Sequence, residues 1–465
     1  MGVLSQNWNS AFCEIPSCVR MTPKNPSGLL CAADLLSWAR TGRPGPLGIG
    51  AIGVAFCHEL PHGTSECAVN SELTAGAPRR AACYAINATP RDKLSLNAPR
   101  TRYSRSDRMT LLLSNEDVEK LLTMPECIDA LERTYIEMSE GRSVNRVRSD
   151  CLVPSKRKDA VYSLKSMDAV IPGLGVGAVR IDSDIVTWPK QGDNIRRVKV
   201  PLAPSGRYVG LVLLFSCESG EPLAIMPDGM LQRIRVGATN GLGVKYLARK
   251  DAKAVGILGC GWQAGTQLMA VCAVRDIDTV RCFSPNRDRC TAFAREMSSI
   301  LGITVDPVCQ PEDVIGEADI VMCATNSVEN IFFARWIRPG VHVSSIKLPE
   351  IEVAAIRRAD RFVIHTHDTK PLHVTAKDLK TPEITEGKGW RLGEGIDFPG
   401  TPTLIDVIAG AVPGRRSNRE VTCFINNLGL GLQFAAAGAV VYRKAKESGL
   451  GRELPTEWFT QDVHP

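Results

Sequence analysis

The 465-residue chain lacks an apolar run long enough to span a bilayer. Among its longest apolar stretches is "PLGIGAIGVAF" (46–56), eleven residues against a need for about 20. It lacks a basic segment followed by an apolar core at its start, so no signal peptide is read there. Among sixteen cysteines there is no C-x-x-C pair. Thiols scattered through the strands and helices of a large chain read as reduced and cytoplasmic rather than as a disulfide framework. A strong charge imbalance is also missing from the body of the chain. The net charge is +6, and residues 1–108 hold 12 Lys/Arg against 7 Asp/Glu, which leaves the remainder close to neutral. That excludes a nucleic-acid surface, and no membrane partner is expected.

At this length one hydrophobic core is not enough, and two domains are expected. Residues 1–108, rich in Pro, Gly, Ser and Arg, carry little periodicity. They read as an over-extended start or a largely disordered leader. Within them, Cys57, His58, His62 and Cys67 match no common zinc-finger spacing. The character changes at Met109. "MTLLLSNEDVEKLLTMPECIDALERTYIEMSEG" reads as a strand and two helices. A capping box runs over Thr123–Glu126, and Ile128, Leu131, Tyr135 and Met138 share one apolar face.

The most informative stretch is "GILGCGWQAGTQ" (256–267). An apolar run stops at Gly259-Cys260-Gly261 and helix formers follow. This is how a strand, a tight turn and a helix N-terminus read when they hold a dinucleotide pyrophosphate. Gly259 permits the turn, Gly261 lets phosphate approach the backbone, and Ala264 is the small third residue; Trp262 and Gln263 complete the expected cradle. Helices at 262–274, 287–301 and 311–317 alternate with strands at 279–283, "ITVDPV", 319–325, 342–346 and 361–365, which implies a doubly wound parallel sheet. At the tip of the second strand stand Ser284, Asn286 and Arg287, with no acid to hold a ribose diol. A hydroxyl, an amide and a guanidinium suit a 2′-phosphate, so NADPH is favoured, with NAD possible.

With "EGRSVNRVRSD" (140–150), the block 220–268, "ADIVMCATNS" (318–327) and "NNLGLGLQFAAAGAVVY", residues 109–465 resemble the ornithine cyclodeaminase/mu-crystallin family. The resemblance implies an α/β protein of two domains. A Rossmann-type nucleotide domain (236–404) is inserted in an α+β substrate and dimerisation domain (109–235 plus 405–465), and the chain forms a homodimer. It further implies that Arg235, in "LQRIRVGATN", clamps the substrate carboxylate, with Arg148 as the family's other early arginine. A guanidinium beside a helix N-terminus suits that task.

Three departures modify the expected chemistry. Where the family usually carries a catalytic Lys, "GLGVGAVRID" places Arg180, which can hold a carboxylate but hardly donate a proton. Lys165, in "YSLKSMD", is the candidate acid. After the fifth nucleotide-domain strand, the loop "SSIKLPE" is shortened, the family's Asp is missing, and Lys347 stands near its place. In the C-terminal helix, Gln433-Phe434 replace a commonly acidic pair. Loss of acids argues against a cationic diamine and for a neutral or acidic imino acid. "HTHDTKPLH" (365–373) has three histidines without an acidic cluster, so no metal is expected. Cys260 reads as a small residue in the turn.

The reading is an oxidoreductase that uses NADPH to reduce the C=N bond of a small imino acid. Thr325, Asn326 and Ser327 would lie at the nicotinamide end. Two alternatives remain: an ornithine cyclodeaminase, an ammonia-lyase with recycled bound NAD, and a mu-crystallin-like protein that binds NADPH and a ligand without turnover.

Overall fold

The computed structural model describes residues 108–462, apart from 192–193, 196–197, 202–205, 328, 348–349, 369–370, 378 and 380–395. The leader expected before Arg108, with its Cys/His constellation, lies outside the described residues.

The first part of the chain runs β1 (Met109–Leu112), α1 (Asn115–Leu121), α2 (Met124–Ser139), β2 (Val144–Asn145), β3 (Ser149–Pro154), β4 (Ala160–Ile171) and β5 (Val176–Thr187). It continues through β6 (Lys190–Gln191), β7 (Asn194–Ile195), β8 (Val198–Val200), β9 (Val209–Ser216), β10 (Pro222–Pro227) and α3 (Gly229–Leu247). The capping box at the start of α2 forms as expected, with Thr123 Oγ1 donating to Glu126 Oε2 at 2.6 Å. Ile128, Leu131 and Tyr135 are buried on its inner face, and Met138 packs at the rim.

Alternation then gives way to β/α repeats: β11 (Ala254–Leu258), α4 (Trp262–Val274), β12 (Thr279–Phe283), α5 (Arg287–Leu301), β13 (Val305–Pro307), α6 (Pro311–Ile315), β14 (Ile320–Cys323) and β15 (His342–Ser345). The chain closes with α7 (Val353–Arg357), β16 (Arg361–Ile364), β17 (Leu372–Thr375), α8 (Leu404–Ile408), β18 (Thr422–Ile425), α9 (Gly431–Ser448) and β19 (Arg452–Pro455).

Two large sheets result. One is mostly antiparallel, with strand order β17-β3-β4-β5-β9-β10-β1-β19 and short additions β2 and β8. The other has seven strands in the order β13-β12-β11-β14-β15-β18-β16, every pairing parallel. The order reverses beside β11, and the crevice at such a reversal is where doubly wound sheets bind ligands. Separate apolar clusters fill its two faces, as a parallel sheet requires.

Two strands depart from the division expected at residue 404. β18 inserts between β15 and β16 of the parallel sheet, whereas β17 leaves it to pair with β3 in the antiparallel one. Short apolar runs state that a strand exists but not which sheet will accept it. Helix α3 links the two halves and is buried over most of its length. Its small residues allow this. A Cβ on Gly237 would stand 2.5 Å from the Thr266 carbonyl oxygen of α4, and one on Gly241 would stand 3.0 Å from the Ala270 methyl. Among the described residues no helix is long and apolar enough to cross a membrane.

Candidate active site

Strand alternation sends every second side chain to the same face. On β4 and β5 that inner face carries Ser163, Lys165 and Met167 beside Arg180, Asp182 and Asp184, all buried. Lys165 lies directly opposite Asp182 on one side and Asp150 on the other. Its ammonium donates to Asp182 at 3.2 Å and to Asp184. Lys199 bonds the same two carboxylates at 3.2 and 2.8 Å. Burial pushes the Lys165 ammonium below its ordinary pKa despite these partners. Burial opposes ionisation of Asp182 as well, but Arg180, Lys165 and Lys199 hold its carboxyl well below the usual range.

Arg180 does not offer a free fork. Its Nε and Nη2 donate to Asp228 at 2.8 and 2.6 Å, and Nη2 also reaches Gln232 at 2.7 Å and Asp182 at 3.1 Å. These bonds tie β5 to the start of α3. Arg148 is likewise committed, in a bidentate pair with Asp150 at 2.7 and 2.6 Å. The guanidinium groups of Arg148 and Arg180, expected to be available to a substrate carboxylate, are instead taken up by the protein's own aspartates. Asp150, Asp182, Asp184 and Asp228 interleave with the basic groups, and the period-two pattern of "RIDSD" was the signal for two of them.

Arg235 differs. It is buried, and among the described residues no carboxylate lies within ion-pair distance. Nη1 donates to Gln433 Oε1 at 2.6 Å, Nε has no partner, and the guanidinium lies over the Phe434 ring, 4.8 Å from its centroid. Burial and the neighbouring Arg180 and Arg148 charges lower its pKa to about 9. The helix N-terminus beside it is not that of its own helix. Arg235 sits well inside α3, and the start of α9 comes to it: a Cβ on Gly429 would collide with Nη1. Gln433 is held in turn, donating to Tyr135 Oη at 3.0 Å. Tyr135 Oη lies 2.8 Å from His365 Nε2, and His365 Nδ1 lies 2.6 Å from the Leu428 carbonyl. The Nδ1–H donates to that carbonyl, so Nε2 accepts from the tyrosine. Burial keeps the imidazole neutral by lowering its pKa to about 4. His367 turns to the Thr401 carbonyl and His373 to Asp150, so the three histidines of 365–373 do not converge.

The expected strand, glycine turn and helix form at the end of β11. Gly259 has φ +112°, and a Cβ there would lie 2.3 Å from the Ala324 carbonyl oxygen. Gly261 is the N-cap of α4 with no side-chain cap, and a Cβ there would meet nothing within 4 Å. The approach to Gly261 at the start of α4 is thus open, with the helix dipole behind it, which fits a pyrophosphate. Ala264 is fully buried against the sheet. Trp262 is exposed and stacks under Arg233, and the Gln263 side-chain oxygen is buried without a partner. At the tip of β12, Asn286 Oδ1 caps α5 by accepting from Arg289 N at 2.9 Å, and Ser284 Oγ accepts from Asn286 N at 3.4 Å. Arg287 donates to the Val308 carbonyl at 2.9 Å.

Past β14, Thr325 donates its amide and hydroxyl to Glu350 at 2.5 and 2.7 Å, and Ser327 N donates to Thr325 Oγ1 at 3.0 Å. Glu350 is fully buried, also accepts from Ser345 Oγ at 2.6 Å, and has its pKa raised by burial. No sequence signal marked this carboxylate as the holder of the 325–327 turn. Lys347 belongs to this network and not to the arginine group: its ammonium donates to the Ser327 carbonyl.

The chain as a whole is similar to known proteins. The family model described as ornithine cyclodeaminase/mu-crystallin family matches residues 108–449. A Delta(1)-pyrroline-2-carboxylate reductase of Bacillus cereus is 28% identical over 349 residues, 74% of this chain and 99% of the relative. The solved Thermococcus litoralis Delta(1)-pyrroline-2-carboxylate reductase, in complex with NADH and L-proline, is 29% identical with a TM-score of 0.60. The match covers 74% of this chain and all of that one. An archaeal alanine dehydrogenase dimer with bound NAD is 25% identical with a TM-score of 0.58, covering 75% and 99%. The glycine turn, Arg235 and the parallel sheet all fall within the matched span, and the chain belongs to the ornithine cyclodeaminase/mu-crystallin family.

Proposed function

We propose that this protein is a nicotinamide-dinucleotide-dependent reductase of the C=N bond in a small imino acid bearing one carboxylate. Arg235 carries the reading. It is a buried guanidinium with an unpartnered Nε and no protein carboxylate, whereas Arg148, Arg180 and Lys165 are each matched to aspartates. One free fork suits one substrate carboxylate. The Phe434 ring beneath it offers an apolar wall for a ring or short chain. The Delta(1)-pyrroline-2-carboxylate reductases among the relatives have names that match such a substrate.

The residues that would hold the dinucleotide are Gly259, Gly261, Trp262, Gln263 and Ala264 at the pyrophosphate, with Thr325, Asn326 and Ser327 at the nicotinamide end. Bound there, the cofactor supplies a hydride to the imine carbon. Arg235 fixes the carboxylate so that one face of the imine is presented. Lys165 delivers the proton to nitrogen and takes one back from solvent, while Asp182 and Asp184 hold its ammonium in place. Arg148 and Arg180 hold the acids and keep the pocket in shape. Ser284, Asn286 and Arg287 favour NADPH, because Arg287 retains donors beyond the Val308 carbonyl and no acid stands at the strand tip.

The outer face of the antiparallel sheet exposes Leu164, Val209 and Leu211, an apolar patch that suits a second copy, so a homodimer is proposed. Nucleotide and substrate domains are proposed to part on either side of β11 to β18. The described cysteines are free thiols, and the proposed compartment is the cytoplasm.

The test is oxidation of NADPH and NADH, followed at the nicotinamide absorbance band, with Delta(1)-pyrroline-2-carboxylate and with 2-oxo acids plus ammonia. Turnover of a monocarboxylate imino acid is expected. Ammonia and proline from ornithine, with no net nicotinamide oxidation, would replace this reading by the cyclodeaminase.

A further inference from the structure

Three thiols with no part in that chemistry converge under the glycine turn. Cys260 stands between Gly259 and Gly261, Cys282 lies on β12, and Cys290 lies in the first turns of α5. The Cys260 and Cys290 sulfurs are 3.7 Å apart, as are those of Cys282 and Cys290, and all three lie within 4.8 Å of one another. Each is buried. Their separation in sequence gives no ligand motif; the strand, turn and helix bring them together.

We propose that Cys260, Cys282 and Cys290 form a site for one soft divalent cation of the zinc class. A zinc–thiolate bond of about 2.3 Å in tetrahedral geometry places sulfurs roughly 3.8 Å apart, close to the 3.7 Å of the Cys260–Cys290 and Cys282–Cys290 pairs, which are joined by thiol hydrogen bonds and not by a disulfide. Thiolates also select such ions over hard ones. The fourth position has an access route. Cys260 lines a cavity of about 310 Å³ bounded by Gly261, Trp262, Arg233, Arg289 and Glu296, which gives room for the ion to enter and for a solvent ligand. Binding releases the thiol protons to solvent. Three thiolates and a divalent ion leave a net charge of −1 beside the α4 N-terminus, where the dinucleotide pyrophosphate is read to sit. Metal and dinucleotide therefore oppose one another. This second part rests on the proposed function, and the first part does not.

The experiment uses the reduced full-length protein and cadmium as the probe, read by its ultraviolet thiolate-to-metal charge-transfer band. Cys290→Ser is expected to bind one equivalent fewer than the wild type; equal stoichiometry would overturn the site. Should the variant fail to fold, X-ray absorption of the wild type loaded with one equivalent of zinc decides. Three sulfurs support the site, and a shell of mostly nitrogen and oxygen rejects it. Dinucleotide affinity, measured by calorimetry, is expected to fall about fivefold or more on metal loading. Unchanged affinity would overturn the antagonism alone. Failure of the metal-free protein to bind dinucleotide would instead count against the proposed function.

Discussion

Gln433 Oε1 accepts from Arg235 Nη1 at 2.6 Å, so a neutral amide stands where an acid would neutralise the guanidinium. Gln433→Glu should supply that acid. The new carboxylate would compete with substrate, raising KM by about tenfold or more, with kcat less affected and folding retained. Arg235→Met should lower kcat/KM by about two orders of magnitude, since a buried charge-paired contact is worth roughly 2–5 kcal/mol. Steady-state kinetics on both variants separates the two effects.

Lys165 is tested by Lys165→Arg. Arginine preserves the ion pairs with Asp182 and Asp184 but does not release a proton near neutral pH. The variant should fold with little change in thermal midpoint and lose roughly 10²–10⁴ in kcat for reduction, the range expected for a missing general acid. In the wild type, kcat should fall as pH rises through the lowered Lys165 pKa, below the ordinary lysine range, and this limb should vanish in the variant. An unchanged kcat would remove Lys165 from the mechanism.

The two glycines of the turn should respond differently. Gly259→Ala forces a side chain onto φ +112° and against the Ala324 carbonyl, so stability should fall by about 1–3 kcal/mol. Gly261→Ala meets nothing within 4 Å. Its melting temperature should match the wild type while dinucleotide affinity drops about tenfold or more, because the methyl occupies the approach of the phosphate. Calorimetry with differential scanning distinguishes these outcomes.

Glu350 gives a pH signature. Burial raises its pKa in the folded state, so the native protein binds the proton more tightly than the unfolded chain. Its contribution to stability is complete below the ordinary glutamate range and is lost as pH rises through the raised value. Glu350→Gln should flatten that part of the stability-versus-pH curve, because the amide still accepts from Thr325. Glu350→Ala should cost about 1–3 kcal/mol and raise the KM for dinucleotide. Urea titrations across pH give the slopes directly.

Local pattern alone determined a good part of this protein. The β11–turn–α4 unit, the strand at 279–283 and the helices at 262–274 and 287–301 stand where periodicity and glycine placement put them. Such elements are made by neighbours in sequence, and the turn needs Gly259 for its own backbone. Arg235 as the candidate for the substrate guanidinium was also named from sequence, through the resemblance of its surroundings, and the structure adds that it is buried with its Nε unpartnered. Which cations remain free was not legible. Arg148, Arg180 and Lys347 are the same residue types as expected, yet Asp150, Asp228 and Ser327 satisfy them. Ionic partners are chosen by register and by the crossing of separate elements. In the same way β18 and β17 exchange sheets, Glu350 reaches Thr325, and three cysteines from a turn, a strand and a helix meet. Each is a contact between segments distant in sequence, decided only when the two sheets pack around α3.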